Sequence, residues 1–181
     1  METRIQLAPR AASDREQFIL DNQEAFNYGA LEEFGLRDEH FEEDGQIISR
    51  ETIEGAIDAK NAETYRIVAD GKTVGGVVIE IAPKSKRGEL ALLFVTPRSH
   101  GKGIGYAAWL AVEKLHPEIE TWETATPCFE KRNIHFYVNK CGFHIVEFYH
   151  SGHIDPHHPN ERFEYDATDG GMFRFEKKMK G

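Results

Sequence analysis

The residues best suited to chemistry form a glycine-rich loop between a predicted strand and a predicted helix. The loop has the sequence HGKGIG at positions 100–105, and residues 84–102 include five Lys or Arg against a single acid, Glu89. Glycine permits backbone conformations and close approaches that a Cβ would block, and the amide groups at a helix start attract anions. The loop therefore predicts a phosphate or pyrophosphate site. Its members are His100, Gly101, Lys102, Gly103, Ile104 and Gly105.

Two further kinds of nucleotide-binding loop have glycines at similar spacing. A nucleotide-triphosphatase loop requires Ser or Thr after its lysine, and Gly103 follows Lys102 here, which excludes it. A dinucleotide-binding fingerprint fits Gly103, Gly105 and Ala108, with Glu123 near the expected ribose position. However, this fingerprint begins in mid-chain, and about 58 residues after Glu123 are too few to complete a doubly wound sheet. A loop that only turns a strand into a helix is the remaining alternative.

Strand patterns surround this loop on both sides. Runs rich in β-branched and aromatic residues predict strands, and Asp70-Gly71 between two of them predicts a hairpin turn. The predicted strands are Ile5–Leu7, Tyr65–Ala69, Val74–Ile81, Glu89–Val95, Glu120–Thr126, Phe143–Tyr149 and Met172–Lys178.

Helical periodicity predicts four helices between these strands. The first follows a capping box in which the Ser13 hydroxyl and the Glu16 carboxylate satisfy free amide groups. The second helix begins near Ser49 and buries Ile53, Ala56 and Ile57. The third helix carries Ile104, Ala108, Ala111 and Leu115 on one face. The fourth helix runs from about Phe129 to Gly142, and one of its faces carries Ile134, Tyr137, Val138 and Cys141. Together these elements predict a single α/β domain over residues 1–181.

Composition excludes several classes of protein. The 181 residues carry a net charge of −9, and residues 1–60 hold 15 acids and 6 bases while residues 61–181 hold 16 of each. Without clustered basic residues a general nucleic-acid binder is not expected, and without an apolar stretch of about 18 residues neither is a membrane protein. Two cysteines cannot form a disulfide scaffold, so Cys128 and Cys141 are expected to be reduced thiols of a cytoplasmic protein.

Two motifs together resemble the GCN5-related N-acetyltransferase (GNAT) superfamily. The hallmark [QR]-x-x-G-x-[GA] is matched by HGKGIG after Val95-Thr96-Pro97, with His100 in place of Gln or Arg. The second signature is matched by Asn133, by Tyr137 four residues later, and by Gly142-Phe143. The matching segments span about residues 65–150. The resemblance implies a mixed α/β fold, with a central, twisted, mostly antiparallel sheet whose fourth and fifth strands splay apart and are flanked by helices.

The resemblance also implies acetyl-CoA as cosubstrate and direct attack by a primary amine, either a small molecule or a peptide. Tyr137 would protonate the departing thiolate as a general acid, Asn133 would hold the pantetheine arm, and a homodimer is allowed. Pantetheine would pair with backbone groups in the gap between the splayed strands, and the pyrophosphate would lie on amides of residues 101–106. The implied cofactor-binding residues are Phe94, Val95, His100, Gly101, Lys102, Gly103, Ile104, Gly105, Tyr106, Asn133 and Tyr137.

An ammonium acceptor must lose a proton before it can attack, which requires a base. Glu89, eleven residues before His100, resembles the position of the glutamate base in the histone-modifying branch of the superfamily. Glu80, Glu123 or a chain of water molecules are the alternatives. A different class of function also fits the fold: a CoA-binding sensor or partner-binding protein with negligible turnover.

Two charged segments have both a functional and a structural interpretation. Residues Glu32 to Asp44 contain seven acids and one base, so they either attract cationic amines or form a solvated face. The histidines between 150 and 158, beside Asp155, could bind zinc, face the substrate or lie at the plain surface. No cysteine lies in that stretch and no geometry is enforced there, so no metal is expected.

Overall fold

The computed structural model describes residues 3–34, 48–156 and 171–180, and for residues 29–34 only the backbone. The chain divides into two compact units, Met1–Ile119 and Glu120–Gly181, which are described separately. The prediction of a single domain over residues 1–181, and that of a splay between the fourth and fifth strands, stay predictions. In the described part of the chain, no helix is both long enough and apolar enough to cross a membrane.

The first unit is an antiparallel sheet with a helical layer on each face. Its strands follow the order β1-β2-β3-β4. The β2–β3 turn is the predicted hairpin, since Asp70 and Gly71 have φ values of 50° and 83°. The elements are β1 Ile5–Pro9, α1 Arg15–Phe34, α2 Arg50–Asp58, β2 Ala62–Ala69, β3 Lys72–Ala82, β4 Arg87–Val95 and α3 Ile104–Leu115.

Alternate residues of β4 face the two layers, as expected for a strand buried on both sides. Leu92 and Phe94 pack with α1 and α2, whereas Leu93 and Val95 pack with α3. The Phe18 and Phe94 rings meet edge to face with centroids 5.1 Å apart. Gly76 of β3 leaves room for them, because a Cβ there would lie 2.3 Å from the Phe18 ring.

The cap of α2 is predicted correctly, but that of α1 is not. The Ser49 hydroxyl accepts a hydrogen bond from the Thr52 N–H at 3.1 Å, so Ser49 caps α2 as expected. In contrast, a 3₁₀ turn over Ala12–Asp14 precedes α1, and the Glu16 carboxylate accepts from the Arg50 guanidinium at 2.7 Å. The predicted capping box is therefore wrong, because a charged partner from α2 takes the carboxylate.

The buried face of α3 also differs from the prediction. Ile104 and Ala108 are buried as expected, but Trp109 and Val112 continue the face. Leu115 is 44% exposed, because the face turns away from it at the helix end.

The second unit is a three-stranded antiparallel sheet in the order β5-β7-β6. Its largest fully buried side chains are Trp122, Phe143 and Phe175. The predicted fourth helix is α-helical only over its first turns and continues as a π-helix over Phe136–Cys141. The elements are β5 Thr121–Pro127, α4 Lys131–His135, β6 His144–Tyr149 and β7 Met172–Lys178.

Candidate active site

The glycine loop of the first unit leaves β4 through a short 3₁₀ turn, Pro97–Ser99. Gly101 and Gly103 then adopt φ values of 77° and 73°, a left-handed conformation that costs other residues energy. A Cβ added at either glycine would meet none of the described atoms within 4 Å. The glycines are therefore required by backbone conformation, and the space in front of them is open.

The loop ends on Gly103, which is the N-cap of α3. The first bond inside the helix is donated by the Ala107 N–H to the Gly103 carbonyl at 3.1 Å. The N–H groups of Ile104, Gly105 and Tyr106 precede that bond and have no acceptor within the helix. They carry the positive end of a 12-residue helix dipole, which is an anion site by its physical chemistry.

The side chains of this segment contribute unequally. Ile104 is 5% exposed and packs in the core, so only its backbone can meet a ligand. Lys102 is exposed, and Tyr106 is 41% exposed on the first turn of α3. Both side chains are accessible to an anion at the helix start.

His100 has a role that its sequence position did not reveal. Its Nε2 lies 2.5 Å from the Val95 carbonyl oxygen, and since a carbonyl only accepts, Nε2 carries the proton. The ring also meets Tyr28 of α1 edge to face at 5.3 Å. Its Nδ1 is buried and has no hydrogen-bond partner among the described residues. His100 therefore ties the loop to the end of β4.

The backbone direction at the end of β4 determines which of its hydrogen-bonding groups point away from β3. The Phe94 carbonyl points at β3, because a Cβ on Gly75 would lie 2.2 Å from that oxygen. Backbone direction alternates along a strand, so the groups of Val95 point away from β3. On that side the Val95 carbonyl accepts from His100. Of the two predicted pantetheine contacts, Phe94 is turned inward.

Tyr137 of the second unit is held firmly at the start of the π-helix. Its carbonyl accepts from the N–H groups of Gly142 and Phe143, the latter at 2.9 Å. Its ring packs against Phe143 and Phe175, with centroids 5.9 and 5.5 Å away. Gly142, at φ 85°, ends the helix as predicted. Backbone and ring are thus fixed together.

The hydroxyl of Tyr137 is buried although the residue as a whole is only partly so. Burial raises the pKa of Tyr137 to about 12; a hydrogen bond with Thr124 acts in the opposite direction, and the charges of Cys141 and Glu130 add to the rise. The hydroxyl therefore keeps its proton at physiological pH. It can donate a proton or a hydrogen bond, and it cannot serve as a resting base.

Asn133 lies four residues before Tyr137, on α4. Its Nδ2 donates to the Thr126 Oγ1 at 3.2 Å. Sequence reasoning identified Asn133 and Tyr137 but missed the two threonines, because nothing in the motif refers to the neighbouring strand.

The candidate bases occupy different surroundings. Glu89 is exposed on β4, directly opposite Glu80 of β3. Glu123 of the second unit accepts a hydrogen bond from Arg174 at 2.8 Å. Glu123 is thus held in an ion pair with Arg174, and Glu89 and Glu80 lie next to each other on one face of the first unit's sheet.

His150 and His153, the described histidines of the predicted 150–158 cluster, form a turn. The backbones of His150 and His153 bond to each other at 3.0 and 2.9 Å, and His153 Nε2 lies 3.0 Å from the Glu147 carboxylate. Over residues 3–34, 48–156 and 171–180, no group of three or more His, Cys, Asp or Glu could hold a metal ion. His157, His158 and the side chains from Glu32 to Asp44 lie outside the described residues.

Neither cysteine forms a disulfide, and Cys141 is buried as predicted. Burial raises the pKa of the Cys128 thiol. A raised pKa disfavours the thiolate that a nucleophile requires.

Comparison with known proteins agrees with this fold and loop. The model of the acetyltransferase (GNAT) family matches residues 22–143. The chain therefore belongs to the acetyltransferase (GNAT) family, which confirms the predicted fold class and the prediction of an enzyme.

One relative and two solved structures illustrate the similarity. The chain is 44% identical over 182 residues to the uncharacterised protein YrkN of Bacillus subtilis strain 168, covering 99% of this chain and 96% of that protein. The PaiA N-acetyltransferase of Thermoplasma acidophilum, in complex with coenzyme A, is 19% identical with a TM-score of 0.64 and covers 97% of this chain and 99% of its own. The ribosomal-protein-S18-alanine N-acetyltransferase of Escherichia coli is 12% identical with a TM-score of 0.64, at 98% and 97% coverage.

Proposed function

We propose that this acetyltransferase transfers an acetyl group from acetyl-CoA directly to a primary amine, in the cytoplasm. The observation that carries the proposal is the pair of left-handed glycines, Gly101 and Gly103, which open the free amides of α3 to solvent. The pyrophosphate would accept hydrogen bonds from these amides, with Lys102 adding positive charge. Coenzyme A in the related Thermoplasma structure supports this assignment.

Tyr137 would act on the leaving group. As the neutral amine forms its bond to the acetyl carbon, the carbon–sulfur bond breaks and the sulfur takes the hydroxyl proton of Tyr137. The proton that the nitrogen loses on becoming an amide restores the phenol through solvent. The buried, protonated hydroxyl supports this role, and Asn133 would hold the pantetheine arm through its side-chain amide.

Glu89 would remove the first proton from an ammonium acceptor. Its position opposite Glu80 supports this role, because two neighbouring carboxylates on one face of the sheet attract a cation. The acceptor class that follows is a cationic primary amine, either a small molecule or a peptide. A peptide acceptor is consistent with the named activity of the Escherichia coli relative.

The test is release of CoA thiol from acetyl-CoA in the presence of polyamines, aminoglycosides, amino acids and lysine peptides. We expect release above the no-acceptor blank for at least one amine, and Tyr137→Phe should lower kcat far more than it changes the KM for acetyl-CoA. Binding of acetyl-CoA without thiol release for any amine would instead favour the sensor. Absence of binding would contradict the proposed role of the glycine loop.

A further inference from the structure

Two buried threonines face the candidate catalytic segment of the second unit. Thr124 and Thr126 of β5 are each 3% exposed. They lie two residues apart, so their side chains point to the same face of the strand, as does that of Trp122. A hydroxyl buried on an apolar face costs free energy unless it is hydrogen-bonded. Each of these hydroxyls meets one polar group of the helical segment.

The spacing of strand and helix explains why both contacts form at once. Residues two apart on a strand are separated by about 6.6 Å, and residues four apart on a helix rise by about 6 Å. Thr124 therefore reaches Tyr137 while Thr126 reaches Asn133, the latter at 3.2 Å. The two threonines and the two motif residues form a ladder with two rungs.

The direction of each rung determines what remains for a ligand. Thr124 and Tyr137 both carry hydroxyls that can donate or accept, and when Thr124 donates to the phenolic oxygen the proton of Tyr137 is available to a ligand. Asn133 uses Nδ2 toward Thr126, so its Oδ1 is left as an acceptor. Thr126 thus leaves the Asn133 Oδ1 as an acceptor, and Thr124 holds the phenolic oxygen from which Tyr137 can donate its proton.

We infer that Thr124 and Thr126 are positioning residues for acetyl transfer: Thr124 orients the hydroxyl of Tyr137 toward the leaving sulfur, and Thr126 orients the carboxamide of Asn133 toward the pantetheine arm. The inference rests on the proposed function, in which those two residues act on the cosubstrate. If these threonines served only to form the strand, valine could replace them without loss of activity, because it has the same shape and a similar preference for strands.

The experiment compares Thr124→Val with Thr126→Val, the same change two residues along the same face. We expect Thr124→Val to lower kcat about fivefold, the effect typical of one lost hydrogen bond, with the KM for acetyl-CoA unchanged. Thr126→Val should instead raise that KM about fivefold and leave kcat unchanged. Thr124→Ser, which keeps the hydroxyl, should retain kcat and also serves if the valine variant does not fold.

Two further readouts separate positioning from packing. Titration of the Tyr137 phenol by ultraviolet absorbance, against Tyr137→Phe as blank, should show a higher pKa in Thr124→Val and no change in Thr126→Val. In the double variant Thr124→Val/Tyr137→Phe, the losses in kcat should be less than additive, because both changes remove one interaction.

The inference and the proposed function can fail separately. If Tyr137→Phe lowers kcat but Thr124→Val does not, or if the two losses are additive, the positioning role of Thr124 is overturned while the proposed function stands. If Thr126→Val leaves the KM for acetyl-CoA unchanged, the second rung is overturned. If Tyr137→Phe itself retains full kcat, the role of Tyr137 in the proposed function fails.

Discussion

Replacing Gly103 tests the phosphate site most directly. Gly103→Glu puts a carboxylate beside the free amides of α3, where the pyrophosphate is proposed to lie, and Gly103→Gln adds nearly the same bulk without the charge. Because Gly103 has φ 73°, both variants incur about 1–2 kcal/mol of backbone strain. No described atom lies within 4 Å of the added Cβ, so neither side chain needs to displace the fold.

The charge determines the difference in affinity between the two variants. Two like charges 4 Å apart repel by about 1 kcal/mol in bulk water and about 4 kcal/mol near a protein surface. These limits correspond to about fivefold and about a thousandfold in affinity. For an exposed loop we expect Gly103→Glu to bind acetyl-CoA about a hundredfold more weakly than Gly103→Gln at low salt.

Calorimetry with acetyl-CoA at about 0.01 M and about 1 M salt measures this ratio. The Debye length falls from about 30 Å to about 3 Å over that range, so the ratio should shrink toward one. Gly71→Glu is the matched control, because Gly71 has φ 83°, has the same open surroundings and lies in the β2–β3 turn. It should lose similar stability and bind normally. Equal affinities of folded Gly103→Glu and Gly103→Gln at low salt would refute the pyrophosphate assignment.

Two histidines give the remaining predictions. Burial lowers the pKa of His116, but its hydrogen bonds to the Glu118 and Glu63 carboxylates and their negative charges outweigh burial and raise the pKa above its usual 6.5. These interactions therefore stabilise the fold fully below about pH 6.5, and that stabilisation is lost as pH rises through the folded pKa. The free energy of unfolding in urea, measured as pH rises through this pKa, should fall in the wild type and not in His116→Gln. An equal dependence on pH in the two proteins would contradict the prediction. His100→Ala should weaken acetyl-CoA binding about fivefold, because it removes the hydrogen bond that ties the loop to the Val95 carbonyl, whereas His100→Gln can still donate to that carbonyl. An affinity of His100→Ala equal to that of the wild type, measured by calorimetry, would show that the loop does not need the bond.

Local chemistry predicted much of the fold. The Asp70-Gly71 turn, the Ser49 cap and the stop at Gly142 each depend on neighbouring residues along the chain, and the structure confirms all three. The glycine loop belongs to the same group, since a strand, glycines with positive φ and a helix start are adjacent in sequence.

Features that depend on a distant partner were not predictable in this way. Glu16 has the spacing of a capping residue, but Arg50, 34 residues away, takes its carboxylate. The widening of the fourth helix into a π-helix at Phe136 lets Tyr137 pack between Phe143 and Phe175, which belong to later parts of the chain. Helical periodicity alone cannot distinguish these outcomes, because an α-helix fits the same apolar residues.

A family motif specifies residue types, whereas chemistry depends on where each proton lies. A tyrosine can donate or accept, and a carboxamide offers both an oxygen and an amino group. In this chain burial keeps the proton on Tyr137, Thr124 is hydrogen-bonded to that hydroxyl, and the Asn133 amide donates to Thr126. A relative that keeps Asn133 and Tyr137 but replaces both threonines with apolar residues would still match the motif. By this reasoning it would bind acetyl-CoA more weakly and turn over more slowly, so the neighbouring strand is as informative about activity as the motif itself.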